Sequence, residues 1–296
     1  MQDHTEKDHG NVIAHDQDNA LGAQLRDIAQ AIAMEAGGLI TRLRSAGVTV
    51  AASKSSEVDI VTEADRAAEE LIVKRLQEVR PHDSILGEEG GKTVTGTSEI
   101  TWVVDPIDGT VNYLYNISAF AVSIAATVED NNGPDGRTSI AGCVFDPVAG
   151  ESFSAVRGGG AHLLTVTKQR VQATDRAEQM LRVNSPRSLS LSLVGTGFGY
   201  TPEKRRSQAE TLLTLLPWVR DIRRAGSAAL DLCSVAAGRL DAYYESGLQP
   251  WDYAAGLLIA QESGATVWGR DKSSPGTDLL IASAPSIIEP LHAIVS

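Results

Sequence analysis

The stretch Trp102-Val103-Val104-Asp105-Pro106-Ile107-Asp108-Gly109-Thr110 decides how the rest of the chain is read. It opens as an apolar run of the kind that forms a buried strand. It ends in a carboxylate, a proline, a second carboxylate three residues on, and a glycine. Proline has no N–H for a ladder, so the strand is expected to end at Asp105 and the chain to turn at Pro106. Such a turn gathers Asp105, Asp108 and the Ile107 carbonyl around one point, and Gly109 lets backbone come close to a ligand. Hard oxygens at a strand end suit Mg²⁺, an octahedral ion with ligand distances of about 2.0–2.1 Å. The same residues also fit a plain Asx-type turn in which both aspartates serve backbone N–H groups, so this motif alone leaves two readings open.

Other stretches add carboxylates at element ends. Gly87-Glu88-Glu89-Gly90 follows the strand-like Ser84-Ile85-Leu86, and Trp251-Asp252 opens a helical pattern. Asp65 stands three residues after Thr62, close to capping-box spacing, in a helix that places Ala68, Leu71, Ile72 and Leu76 inward until Pro81 stops it. Val58 to Thr62 reads as a strand delivering that helix. Paired glutamates also occur in solvated loops, and an aspartate in a first turn also serves the helix dipole.

Working outward, Leu25, Ile28, Ile32, Leu39 and Leu43 form a helical stripe that predicts a long amphipathic helix, capped at Asp18 or Asn19 and ending near Gly47. Residues 1–18 are polar, with His4, His9 and His15 among acids, and are expected to be a disordered tail. Thr101 to Val104, Ala121 to Val128 and Ile140 to Phe145 read as strands, with a turn over Asn131 to Gly136. Past a mixed stretch at 165–180, short strands near Leu181 and Asp221 alternate with helices over 202–216, 227–237 and 251–263. The expected organisation is therefore a tail over 1–18, an α+β half over 19–180 and an α/β half over 181–296.

Composition narrows the function classes. The 296 residues hold 38 acidic against 26 basic side chains, a formal charge of −12, which disfavours nucleic acid or an anionic membrane as partner. An anionic substrate must then meet cations locally. No window approaches the roughly 18 apolar residues of a membrane span, and the N-terminal stretch lacks a basic segment followed by an apolar one. Cys143 and Cys233 lie in apolar runs without metal-ligand spacing, as expected of reduced core residues in the cytoplasm.

Together, Asp-Ile-Val-Thr-Glu-Ala-Asp (59–65), Gly-Glu-Glu-Gly (87–90), Asp-Pro-Ile-Asp-Gly-Thr (105–110) and Trp-Asp-Tyr-Ala-Ala-Gly (251–256) resemble the inositol monophosphatase family in order and spacing. Four motifs in register are far more specific than any one. The resemblance implies a layered αβαβα sandwich, a homodimer, and Mg²⁺-dependent, Li⁺-sensitive hydrolysis of phosphate monoesters with two or three ions per site. By motif position it implies Glu88, Asp105 and the Ile107 carbonyl around one metal, and Asp105, Asp108 and Asp252 around a second. Asp65 and Thr110 would activate the attacking water, with Glu88 contributing, and the Gly109 and Thr110 backbone N–H groups would hold phosphate.

The resemblance also implies that a small polyol phosphate meets Asp108, Gly226, Ser227, Ala228 and Glu245. Glu245 would accept from adjacent ring hydroxyls, which a site built to pair them recognises; it also fits a solvent-facing strand end. Ser227 stands where the better-known animal pattern has Thr, and Leu248-Gln249-Pro250 replaces a His-Cys stretch. The first expected substrate is inositol 1-phosphate. Fructose 1,6-bisphosphate, histidinol phosphate and 3′-phosphoadenosine 5′-phosphate are alternatives on the same fold, and a noncatalytic metal- or phosphate-ligand-binding protein is the alternative of another class. Lys54-Ser55-Ser56 matches the family's mobile metal-loop segment.

Overall fold

The computed structural model describes residues 6–48, 50–53, 60–89, 94–166 and 178–296. A 41-residue helix, α1 (Glu6–Ala46), leads into a short antiparallel pair, β1 (Val50–Ser53) and β2 (Ile60–Thr62). Helix α2 (Glu63–Val79) follows, then β3 (Ser84–Gly87), β4 (Thr101–Asp108) and the five-residue α3 (Thr110–Leu114). Five antiparallel strands come next: β5 (Ala121–Glu129), β6 (Arg137–Asp146), β7 (Glu151–Val156), β8 (Gly160–Thr165) and β9 (Glu178–Met180). The remainder alternates: β10 (Leu193–Thr196), α4 (Pro202–Leu215), β11 (Asp221–Arg223), α5 (Ala228–Ala236), β12 (Ala242–Glu245), α6 (Pro250–Glu262), β13 (Thr266–Trp268), β14 (Leu280–Ser283) and α7 (Ile288–Val295).

Among the described residues β3 to β9 form one seven-stranded sheet in sequence order, and β11-β10-β12-β14-β13 form a five-stranded mixed sheet. Helices α1 and α2 cover one face of the larger sheet, with Leu25, Ile32, Ile40, Ile72 and Leu76 packed on Trp102, Val104, Ile124 and Cys143. Its other face meets α5 and α6 through Val103, Ala125, Val144 and Phe153 against Cys233, Ala255 and Leu258. The opposite side of that helix pair packs on the smaller sheet, and α7 and the end of α4 close the far face. Helix, sheet, helix, sheet, helix is the layered sandwich expected from the sequence. The central helices are buried all round, so α6 carries almost no polar face over Tyr253 to Ala260.

Several details differ from expectation. Helix α1 begins at Glu6, so Asp18 and Asn19 lie inside it; no proline interrupts residues 6–18, and of the expected tail only residues 1–5 fall outside the described residues. Strand β4 does not stop at Asp105. Pairing with β5 resumes at Asp108 opposite Ala121 after an irregularity between Asp105 and Asp108, so Pro106 sits in a bulge, where its missing N–H interrupts the ladder without ending the strand. The strand near Leu181 is β9, which pairs with β8 in the first sheet and does not start the second. Of Val58 to Thr62 the structure shows β2 over Ile60–Thr62. Val58, Asp59, Lys54-Ser55-Ser56, Gly90 and residues 167–177 of the mixed stretch lie outside the described residues. A division of the chain near residue 180 is a proposal, supported by the change of sheet between β9 and β10.

Candidate active site

The strand β4 bulge, the N-terminus of α6 and the end of β3 open onto one cleft of about 420 Å³. Its floor is acidic. Asp105, Asp108 and Asp252 each offer a carboxylate oxygen within 4.8 Å of the others. Asp105 is 1% exposed, and one of its oxygens accepts from the Ile107 N–H at 3.0 Å. The irregular β4 geometry swings Asp108 to the same side, where the Ala229 N–H (2.8 Å) and the Ser227 hydroxyl donate to one of its oxygens. Asp252 joins because Gln249 and Pro250 start α6 there, and its Oδ2 accepts the Gln249 N–H at 2.6 Å in a capping box. Glu88 lies beside Asp105 and lines the same cleft, outside the tight triad.

This cluster is electrostatically unfavourable as it stands. Burial, then Glu88, Asp108 and Asp252, push the Asp105 carboxyl well above the usual range. Burial raises Asp108 to about 7 even though Ser227 and Ala229 donate to it, and burial with Asp108 and Glu88 raises Asp252. Three close carboxylates that repel one another, two of them buried and Asp252 half-buried, are stabilised by cations, and an all-oxygen donor set fits a hard divalent ion. Asp105, Asp108 and Asp252 could hold one ion, and Glu88 with Asp105 and the Ile107 carbonyl a second.

Asp65 lies behind this floor, fully buried, and reaches it through Thr110. Its Oδ2 accepts from the Thr62 N–H (2.8 Å) and the Thr62 hydroxyl, closing the predicted capping box. Its Oδ1 faces the Thr110 hydroxyl at 3.2 Å, and the same hydroxyl also lies 3.0 Å from the Ile107 carbonyl. Gly109 begins α3 with φ 93°, and a Cβ there would stand 2.9 Å from the Ala119 carbonyl. Only glycine adopts that conformation at little cost. Backbone of Gly109 and Thr110 lines the cleft, although α3 is too short for a sizeable dipole.

The residues expected to meet a polyol lie in the same cleft. Gly226, Ser227, Ala228 and Glu245 all line the cleft. Ser227, 1% exposed, both caps α5 and donates to Asp108, so its visible work is to position that carboxylate. Glu245 accepts from the Tyr243 hydroxyl at 2.5 Å; burial raises its carboxyl, against the lowering effects of that bond, Arg224 and Lys204.

Sequence reasoning missed three contributors. Glu69, one helical turn past Asp65, is buried beneath the Glu88-Glu89 loop and accepts the Glu89 N–H at 2.7 Å. Asp231, also in the cleft lining, is held high by burial and by Asp108 and Glu245. Acids on otherwise apolar helix faces were the available signal for both. Lys204 had none: its stem lies across nearby Gly199, and its ammonium lies beside Gly247, in a loop distant in sequence.

Comparison with known proteins places the chain in a family. Residues 22–295 match the family model described as the inositol monophosphatase family. Inositol-1-monophosphatase SuhB of Mycobacterium tuberculosis is 46% identical over 285 residues, covering 92% of this chain and 93% of its own. The solved structure of Mycobacterium tuberculosis SuhB superposes with a TM-score of 0.73 at 44% identity, covering 92% and 95% of the two chains. Nus factor SuhB of Salmonella typhimurium is 38% identical over 274 residues, covering 90% and 93%. SaIMPase-II with inositol monophosphate bound gives a TM-score of 0.70 at 27% identity, covering 92% and 93%. The chain belongs to the inositol monophosphatase family. It is a phosphatase, the class to which this family and the relatives named inositol-1-monophosphatase belong. Among the described residues no helix is long and apolar enough to cross a membrane.

Proposed function

We propose that this chain hydrolyses inositol 1-phosphate, or a related inositol monophosphate, to inositol and phosphate with Mg²⁺. The observation that carries the reading is the convergence of Asp105, Asp108 and Asp252 on one point in a cleft that Thr110 and Glu245 also line. Two or three Mg²⁺ ions, when bound, would neutralise charge developing on the phosphate oxygens and acidify water beside them.

The chain's own residues supply the rest. Thr62 fixes Asp65, and Asp65 fixes Thr110. The attacking water gives its proton to Thr110 Oγ1 as Thr110 passes its own to Asp65 Oδ1. The water oxygen forms the new P–O bond, the ester P–O bond breaks, and the leaving oxygen takes a proton from solvent. Gly109 and Thr110 N–H groups hold phosphate oxygens. Glu245, steadied by Tyr243, accepts from adjacent ring hydroxyls.

Support for inositol comes from relatives named inositol-1-monophosphatase and from the inositol monophosphate-bound SaIMPase-II. Li⁺ inhibition, a homodimer and a cytoplasmic setting belong to the same reading; the two free, buried cysteines fit a reducing compartment. A second reading, an interaction role without turnover, is motivated by relatives named Nus factor SuhB. The complete acidic set, with Thr110 and Asp65 in register, argues against that as the sole role. Phosphate release measured across inositol 1-phosphate, fructose 1,6-bisphosphate, histidinol phosphate and 3′-phosphoadenosine 5′-phosphate tests the assignment. Highest kcat/KM on inositol 1-phosphate supports it, and tight binding without turnover on any substrate favours the interaction role.

A further inference from the structure

We infer that Lys204 determines specificity in the acidic cleft: its ammonium donates to one hydroxyl of a vicinal diol on the substrate while Glu245 accepts from the neighbouring hydroxyl. The inference rests on the proposed reading that an inositol phosphate is the substrate. It narrows the preferred class to phosphate esters that carry such a diol.

Helix α4 holds the lysine in place. Thr201 caps the helix and accepts the Lys204 N–H at 3.3 Å. One turn on, the Gln208 carboxamide accepts the Gly199 N–H at 2.8 Å and donates to the Ser246 carbonyl at 3.2 Å, while the Arg205 Nε donates to the Gly199 carbonyl at 2.7 Å. The loops that leave the parallel neighbours β10 and β12 are thereby tied to one helix. The Lys204 side chain runs across both. A Cβ at Gly199 would stand 2.6 Å from its Cδ, and a Cβ at Gly247, where φ is 94°, would overlap the ammonium. Lys204, Gly199 and Gly247 all line the acidic cleft.

The same cleft holds the Glu245 carboxylate, which lies over Gly197. Burial raises that carboxyl, and Lys204 is near enough to act against the rise, with the Tyr243 bond and Arg224. Yet no hydrogen bond or ion pair joins Lys204 to Glu245, and among the described residues no acceptor takes the ammonium. A donor and an acceptor of opposite charge thus stand in one cleft without meeting. A second anionic group on the substrate would confront Glu245, and an apolar group would strip water from both side chains and return nothing. Two adjacent hydroxyls answer both, because a hydroxyl can accept from an ammonium or donate to a carboxylate. Hydrogen bonds to charged partners are the stronger kind, and a site built to pair hydroxyls rejects analogues that lack them. Arg224, the other cation acting on Glu245, is exposed, so it gains less by exchanging water for a hydroxyl.

Phosphate release by the full-length, Mg²⁺-loaded protein on inositol 1-phosphate and on cyclohexyl phosphate, the same ring without its hydroxyls, reads the preference. Both esters carry the same charge, so a general attraction of the ammonium for the anion cancels in the ratio of the two kcat/KM values. The wild type is expected to favour inositol 1-phosphate. Lys204→Met, which keeps the stem over Gly199, is expected to cut that preference about 10–100-fold, mainly through KM. Lys204→Ala is expected to do the same and serves if the methionine variant fails to fold. In a Glu245→Gln background the loss caused by Lys204→Met is expected to persist, which separates direct contact from an effect routed through Glu245. A wild type with no preference for inositol 1-phosphate overturns the inositol assignment and this inference with it. A preference that survives in folded Lys204→Met or Lys204→Ala protein, or a loss that vanishes in the Glu245→Gln background, overturns this inference alone.

Discussion

Asp105→Asn should abolish turnover and yet stabilise the metal-free protein. Each carboxylate pair in the triad lies within 4.8 Å, so two ionised partners repel by about 3.5 kcal/mol at an effective dielectric constant of 20. The protein relieves this by taking up a proton, and at pH 7 protonating a carboxyl of ordinary pKa 3.8 costs no more than about 4 kcal/mol. Asparagine removes the charge at no such cost, and its carbonyl oxygen can still accept from the Ile107 N–H as Asp105 does. The expected gain is about 2–4 kcal/mol in chelator, or about 4–8 °C in Tm for a chain of this size. The advantage should disappear in saturating Mg²⁺, where the wild-type cluster gains binding energy that the variant has lost. Thermal melts of both proteins in chelator and in Mg²⁺, beside phosphate-release assays, measure all three quantities. A variant less stable than wild type in chelator, with an undiminished Mg²⁺ shift, would refute the electrostatic account of the cluster.

The same reasoning sets a pH dependence. Asp108 is raised in the folded state, from 3.8 to about 7, so its contribution to stability is complete below about pH 3.8 and is lost as pH rises through 7. Metal-free protein should therefore melt higher at pH 5 than at pH 7.5 on this account, and Mg²⁺ should reverse the trend because protons compete with the ion. Thr110→Ala and Asp65→Asn should each lower kcat about 10²–10⁴-fold with little change in KM, since both act on the attacking water. Gly109→Ala should lose both stability and activity, because a Cβ would stand 2.9 Å from the Ala119 carbonyl at φ 93°; urea melts and assays read the two losses. Asp83→Ala should cost about 3–5 kcal/mol by denaturant titration, as it strands Arg80, Ser98 and the Trp102 indole N–H that Asp83 now accepts.

Much of the site was legible because its carboxylates sit where one element ends and another begins, and such boundaries carry local signals. Thr62 with Asp65 announces a helix start, Pro106 with Gly109 an interrupted strand, and Gln249-Pro250 with Asp252 another helix start. The interruption itself was misjudged: Pro106 marks a bulge within β4, because pairing with β5 on the far side recovers the strand, and that partner is invisible locally. Short strands such as β10 and β14 were passed over for a related reason. At four residues each they carry too little alternation to distinguish from loop, and their place in the sheet is set by neighbours far along the chain. Ser227 shows the limit for individual roles. Its position in the motif suggested a substrate contact, and the fold adds a hydrogen bond from its hydroxyl to Asp108 that no local pattern announces.

A crystal of the protein soaked in Mn²⁺ and measured at the manganese absorption edge tests the central claim most directly. The account predicts anomalous peaks between Asp105, Asp108 and Asp252 and between Asp105, Glu88 and the Ile107 carbonyl, with ligand distances of about 2.1–2.3 Å. A cleft without anomalous signal in Mn²⁺-saturated crystals that still hydrolyse phosphate esters would contradict it.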